Sequence, residues 1–507
     1  MQVLCVSQHD SPPDAGLEVS AQVSVCVYGY RQSFASTPKG HHFRHVFPDD
    51  SSVLVVHSSA GALNASVGKA DTNPSLARRS VSSLTSFPFA NASHAYPIAD
   101  ATEMVVTWVT GHHISGKPCV EYGIDDLSMK AFGHSSRFAD GGHEKRHIYV
   151  HRVVVKDLKP SQTYQYHCGS DDGWSAVYHF RAKTKGSHWS PRFAVFGDMG
   201  AANAQSVPRL EQDVRRGMYD AILHVGDIAY NLHSDNGKVG DAFMRLIEPI
   251  AAYVPYQVCP GNHEHKYNFS HYDHRFSMTD SRTGSLNNHF YSFNMGPAHF
   301  VSLSTEYYYY TDFGWDQIRR QYEWLVDDLR AANSPESRAE RPWIITMAHK
   351  PLYCMTDDRS CSPIDSSDAF QRRRLRKGIK MQGSGKRKYG LEALFFKYGV
   401  DIQLYGHEHN YQRLFPVYDN HVLNGSTAHP YHNPKGPVVV ITGSAGCDEH
   451  HAKFRKHVPD WSAFRSTDYG YTRMTVHNKT HVSLEQVSDD QKGKIIDRFV
   501  VVKDRHL

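Results

Sequence analysis

Five short polar clusters hold residues whose types and order could do chemistry together. They are Gly197-Asp198-Met199-Gly200, Gly226-Asp227-Ile228-Ala229-Tyr230, Gly261-Asn262-His263-Glu264, Ala348-His349 and Gly406-His407-Glu408-His409. Their Asp, Asn, Tyr and His side chains are the oxygen and nitrogen donors that take up metal cations. Each cluster follows closely on an apolar run: Phe193–Phe196, Ala221–Val225, Tyr256–Val258, Trp343–Met347 and Asp401–Tyr405. A single Gly-Asp after a strand is ordinarily a turn, and a single His there is ordinarily a core or surface residue. Five in succession place two Asp, one Tyr, one Asn and three His on one rim of one sheet. Buried carboxylates beside imidazoles are costly unless a cation neutralises them. The pattern therefore predicts a metal centre.

The elements that must position this rim follow from periodicity. Val438–Thr442 is a further apolar strand. Trp315–Ala332 reads as a helix through Ile318, Tyr322, Leu325 and Leu329, and Leu391–Tyr398 is a second candidate. Strands alternating with helices make 191–505 an α/β domain, whose ligands gather at the carboxyl ends of its strands. Upstream, Glu103–Trp108, His147–Val155 and Thr163–His167 alternate as strands do, with turns at Asp157–Pro160 and Asp171–Gly173. Short strands without a helical pattern predict a β-sandwich over 96–185. A polar linker, Lys183–Ser190, joins the two. Residues 1–95 read as a poorly structured N-terminal segment, serine-rich from 51 onward.

Composition narrows the class. A hydrophobic fraction of 40% with 12% aromatics excludes full disorder. No apolar stretch approaches the roughly 20 residues of a spanning helix. A net charge of +4 is too mild to imply nucleic acid. Gln371–Lys388 holds nine Lys/Arg and no acid, and reads as a solvated insertion near the site's rim. The eight cysteines contain no CxxC pair; Cys354 and Cys361 are close enough to bridge a loop, and the spacing leaves that open. Five sequons, at Asn64, Asn91, Asn268, Asn424 and Asn478, are glycosylation candidates. His263-Glu-His265 and His407-Glu-His409 are not zincin motifs, which need the histidines four apart on a helix.

The ordered set GDxG, GDxxY, GNH[ED], xxxH and GHxH resembles the purple acid phosphatases within the calcineurin-like metallophosphoesterases. The resemblance covers about 96–505. It is closest to the animal iron/zinc type, through Cys259-Pro-Gly-Asn-His-Glu264, Ile441-Thr-Gly-Ser-Ala-Gly-Cys447, Asp468-Tyr-Gly-Tyr-Thr-Arg473 and Val487-Ser-Asp-Asp-Gln491. It implies an N-terminal fibronectin III-like β-sandwich and an α/β/β/α double-sheet catalytic domain. It implies Fe(III) on Asp198, Asp227, Tyr230 and His409, and a second metal on Asp227, Asn262, His349 and His407, with Asp227 shared. The family's usual VxxH motif has Thr346 in place of Val, a position that is not a ligand. His263 becomes the residue that contacts phosphate and helps protonate the leaving alcohol. The paired His that plant members carry after the fourth motif is absent from Met355–Ser360.

The implied reaction is acid hydrolysis of phosphate monoesters by a metal-bound hydroxide, on phosphorylated small molecules or proteins. A phenol titrates near 10, so a phenolate ligand in acid calls for a strongly polarising cation; ferric iron fits and magnesium or calcium does not. The second donor set suits zinc or iron first and manganese third. A phosphodiesterase or pyrophosphatase on the same metals is the alternative, and a non-catalytic phosphate-binding protein a third reading. Sequons and an acid-type site favour a secreted or lysosomal/vacuolar glycoprotein, although the first 30 residues show no clear signal peptide. A homodimer is left open.

Overall fold

In the computed structural model the described residues are 102–504, apart from 358–360, 362–366, 382, 450 and 452. The segment expected to be poorly structured, 1–95, lies outside them.

The first layer pair is a β-sandwich. Strands β1 (Met104–Thr110), β2 (Cys119–Gly123), β3 (Met129–Phe132), β4 (His134–Ala139), β5 (His147–Val155), β6 (Thr163–Ser170), β7 (Gly173–Trp174) and β8 (Tyr178–Arg181) form two antiparallel sheets. β1 pairs with β5 and β5 with β4, while β6 pairs with β2, β7 and β8. Alternate residues turn inward, so Val106, Trp108, Val153, Tyr164, Tyr166 and Phe180 build the core between the sheets. The sandwich docks on the α/β domain through Tyr166 Oη, which donates to Ala252 O at 2.7 Å, and Arg146, paired with Asp241 at 2.6 Å.

The α/β domain stacks two mixed sheets face to face. The first runs β11 (Tyr256–Val258), β10 (Ala221–His224), β9 (Arg192–Phe196), β19 (Gly470–Val476), β20 (His481–Ser488) and β21 (Lys494–Val502). The second runs β12 (Tyr291–Met295), β13 (Ala298–Ser302), β14 (Trp343–Met347), β15 (Ile402–Tyr405), β17 (Val438–Thr442), β16 (Tyr411–Leu414) and β18 (Ser462–Ser466). Strands β9 to β11 are parallel, as are β13, β14, β15 and β17. The period-2 rule is visible in β17: Val438 and Val440 join Phe193, Phe300, Ile345 and Leu404 between the sheets. Val439 and Ile441 face the other way, into a cluster with Leu325, Leu329 and Leu394.

Helices close both outer faces. α1 (Val207–Arg215) and α2 (Lys238–Ala251) cover the first sheet with Leu210, Phe243 and Ile247. α4 (Asp316–Ala332) covers the second with Ile318, Leu325 and Leu329, as its spacing predicts. The helix expected at 391–398 is α7 (Leu391–Lys397). Short helices α3 (Ser270–Arg275), α5 (Pro335–Glu340) and α6 (Ser367–Lys377) fill the connections. The basic stretch read as a solvated insertion is partly anchored: Arg376 pairs with buried Glu392 at 2.9 Å, and Arg374 donates to Tyr308 O at 2.8 Å.

Candidate metal centre

All five clusters lie where parallel strands end. β9 leads into Asp198, β10 into Asp227 and Tyr230, and β11 into Asn262 and His263. From the other sheet, β14 leads into His349 and β15 into His407 and His409. The chain turns back sharply there. Asp198, Asp227, Tyr230 and His407 all have positive φ, at 58°, 50°, 50° and 72°. Such backbone is costly for residues with a Cβ and concentrates at functional sites. Close approach needs glycine beside it. A Cβ on Gly226 (φ +83°) would lie 2.7 Å from the His349 ring, and one on Gly261 would lie 2.2 Å from Asp227 Oδ1.

The seven donors meet in two sets. In one, Tyr230 Oη donates to Asp198 Oδ1 at 2.9 Å and lies 2.9 Å from His409 Nε2, which is 3.5 Å from the same Asp198 oxygen. In the other, His349 Nε2 lies 3.0 Å from Asp227 Oδ2 and 3.1 Å from Asn262 Oδ1, while donor atoms of Asp227, His349 and His407 fall within 4.8 Å of one another. The sets are stitched together: Asp198 Oδ2 accepts from the His407 N–H at 2.8 Å, and Asp227 Oδ1 accepts from the His263 N–H at 2.8 Å.

The electrostatics follow from burial and from the two carboxylates. Burial, then the charges of Asp198 and Asp227, push the Tyr230 phenol well above its ordinary value. Burial works against His349, but Asp227 overrides it and pushes the imidazole up to about 9. Burial likewise opposes His409, yet its contact with Asp198 raises it to about 12. His407 moves the other way: burial, then Lys350 and His349, hold it well below the usual range. Two almost fully buried carboxylates, a phenol and three imidazoles fit a pair of metals.

Several neighbours carry no signal of their own in the sequence. Glu264, only 3% exposed, accepts from the backbone N–H groups of Asp227, Ile228 and Gly261 at 2.9, 3.0 and 2.9 Å, which fixes the turn that presents Asp227. Cys447 Sγ lies 3.2 Å from His409 Nδ1 and orients that ring. Half-buried His451 donates from Nδ1 to His409 O at 2.6 Å. His265 stacks on Tyr310 with ring centroids 4.1 Å apart. Cys354 and Cys361 form a disulfide that braces Glu408, whose carboxylate accepts from the Thr356 hydroxyl. Those two sulfurs also converge with Glu408, but bonded to each other they are not metal donors. His263 sits at the mouth, 19% exposed, with Nδ1 2.6 Å from Asn231 Oδ1 and Nε2 3.8 Å from Asp227 Oδ2 and 3.6 Å from Glu449 Oε1. Of the sequons, Asn268 and Asn478 are exposed and Asn424 half-buried, whereas Asn64 and Asn91 lie outside the described residues.

Three family models match the chain. Residues 91–182 match the purple acid phosphatase N-terminal domain, 191–411 the calcineurin-like phosphoesterase domain, and 436–498 the iron/zinc purple acid phosphatase-like protein C segment. "Acid phosphatase type 7" of Danio rerio is 51% identical over 408 residues, spanning 80% of this chain and 89% of that protein. The Homo sapiens protein of the same name is 50% identical over 413 residues, spanning 81% and 90%. This chain belongs to the purple acid phosphatases. A purple acid phosphatase from yellow lupin (Lupinus luteus) seeds shares the fold, with a TM-score of 0.65 at 24% identity over 89% of this chain and 79% of that one. The expected architecture, a fibronectin-like sandwich before a double-sheet metallophosphoesterase domain, is the family's and is the one observed.

Proposed function

We propose that this purple acid phosphatase hydrolyses phosphate monoesters at a dinuclear centre built from the seven strand-end donors. Asp198, Tyr230, His409 and Asp227 would hold Fe(III); Asp227, Asn262, His349 and His407 would hold a divalent metal, zinc or iron ahead of manganese. Such a pair, when bound, supplies Lewis acidity and a nucleophilic oxygen for in-line attack on phosphorus. The observation that carries the reading is the convergence of donors from five strands of two sheets into two touching sets.

The chain's own residues do the rest. Glu264 holds the Asp227 turn rigid through three N–H groups. Asn231 takes the Nδ1–H of His263, which leaves Nε2 facing the site between Asp227 and Glu449. Nε2 is then the atom that binds a phosphoryl oxygen and passes a proton to the departing alcohol. Substrates are phosphorylated small molecules or proteins. The domain limits are 96–185 and 191–505. The Cys354–Cys361 bridge suits an oxidising compartment, which supports a secreted or lysosomal glycoprotein modified at exposed Asn268 and Asn478. Among the described residues no helix is long and apolar enough to cross a membrane.

The test is to purify the native protein, measure its metals and assay p-nitrophenyl phosphate from pH 4 to 7. Two metals per chain, one of them iron, and turnover in acid are expected. Two metals without turnover would overturn the enzymatic reading, and a higher rate on diesters would move the substrate class.

A further inference from the structure

A lysine and a glutamate beside the second donor set have no part in the proposed reaction. Lys350 is 7% exposed, immediately after His349. Its ammonium donates to Asn262 Oδ1 at 2.7 Å and lies 3.1 Å from Nε2 and 3.2 Å from Nδ1 of His407. These two side chains belong to the divalent-metal set. A neutral imidazole has one lone pair to give, and an ammonium within about 3 Å of the donors would meet a divalent cation as a like charge, so metal entry must move Lys350.

The structure also holds a place for that ammonium to go. Glu306 is wholly buried. Its Oε1 accepts from Thr305 Oγ1 at 3.2 Å, while its Oε2 has no hydrogen-bond partner among the described residues. The backbone brings the two together, because the Lys350 N–H donates to the same Thr305 hydroxyl at 2.8 Å. Burial raises the Glu306 carboxyl, and the charge that most opposes this is Lys350. A buried carboxylate oxygen without a donor is expensive. A lysine displaced from Asn262 and His407 would be stabilised by that carboxylate.

We propose that Lys350 and Glu306 are a pair of positioning residues that sets the affinity of the second metal position, Lys350 competing for Asn262 and His407 and Glu306 receiving its ammonium when the metal binds. The inference rests on the dinuclear reading. It makes the two substitutions act in opposite directions. Without Lys350 nothing competes for the donors, and the Glu306 charge is left to favour a cation. Without the Glu306 charge the displaced ammonium has no counter-ion, and metal binding is weakened by that cost.

The experiment loads the full chain with one ferric ion and titrates Zn²⁺ by calorimetry. Lys350→Met is expected to bind zinc at least about tenfold more tightly than wild type, because a like charge a few ångströms away is removed. Glu306→Gln is expected to bind it about tenfold more weakly, and Lys350→Arg to stay close to wild type. Unfolding temperatures before zinc addition establish that each variant is folded; should Glu306→Gln fail to fold, the sign for Lys350→Met decides alone. Weaker binding in Lys350→Met, or no change, overturns the proposal. A wild-type protein that takes up no zinc after iron overturns the dinuclear reading itself, and this inference with it.

Discussion

His151 in the sandwich and His349 on the strand-end rim are both fully shielded from solvent, and their surroundings treat them in opposite ways. His151 lies between two hydroxyls, Thr110 Oγ1 at 2.8 Å from Nε2 and Ser135 Oγ at 2.7 Å from Nδ1. Burial, with His113 and Arg152 nearby, pushes it down to about 4. His349 faces Asp227 at 3.0 Å and is pushed up to about 9. Neutral partners can satisfy a buried imidazole and leave it inert, whereas a buried carboxylate gives it charge to share. The sandwich uses histidine as core; the rim uses it as chemistry. The backbone differs in the same sense, since the donors of the rim crowd into left-handed conformations while β1 and β5 pair in regular antiparallel register.

The contrast is broken most severely at Asp227, the one donor that the proposed centre assigns to both metals. Asp227→Ala is expected to remove both metals, as elemental analysis would read, and to lower kcat/KM by more than the roughly 10²–10³-fold of a single preorganised donor. Retention of either metal would show that the two sets are independent.

A smaller and more selective break is Tyr230→Phe. The phenol makes two contacts of 2.9 Å, to Asp198 and His409, and nothing in the second set. The variant should lose the visible charge-transfer band expected of an iron phenolate and bind iron at least about tenfold more weakly, while zinc uptake is little changed. A surviving band would remove Tyr230 from the metal.

The rim was legible in sequence because its donors sit within a few residues of strand ends, so local order already encodes their meeting. β17 and α4 were legible for a similar reason, their periods of 2 and 3.6 being set by burial on one face. Other features have no local signature. α2 carries Pro249 in its last turn and lacks a clean stop. Glu306, Lys350, Asn231 and Cys447 acquire meaning only through partners on other elements. Glu264 lay inside a recognised motif, but its three backbone acceptor contacts depend on the fold of two separate turns.

The gentlest test concerns the sandwich and uses pH. His151 binds a proton near 6.5 when unfolded and only near 4 when folded. Between those values the unfolded chain holds more protons, so stability falls as pH falls, and above 6.5 the contribution is constant. At pH 5 the penalty is about 2 kcal/mol relative to pH 7. Thr110 Oγ1 already donates to His112 O at 2.7 Å, so at His151 it accepts from Nε2–H, and Ser135 donates to Nδ1. Gln at 151 can offer a donor and an acceptor and does not titrate. In metal-free protein, thermal unfolding of His151→Gln should therefore shift less between pH 7 and pH 5 than that of wild type. An equal shift would mean that the sandwich accommodates imidazolium, and the two regions would then differ in their metals alone rather than in how they treat histidine.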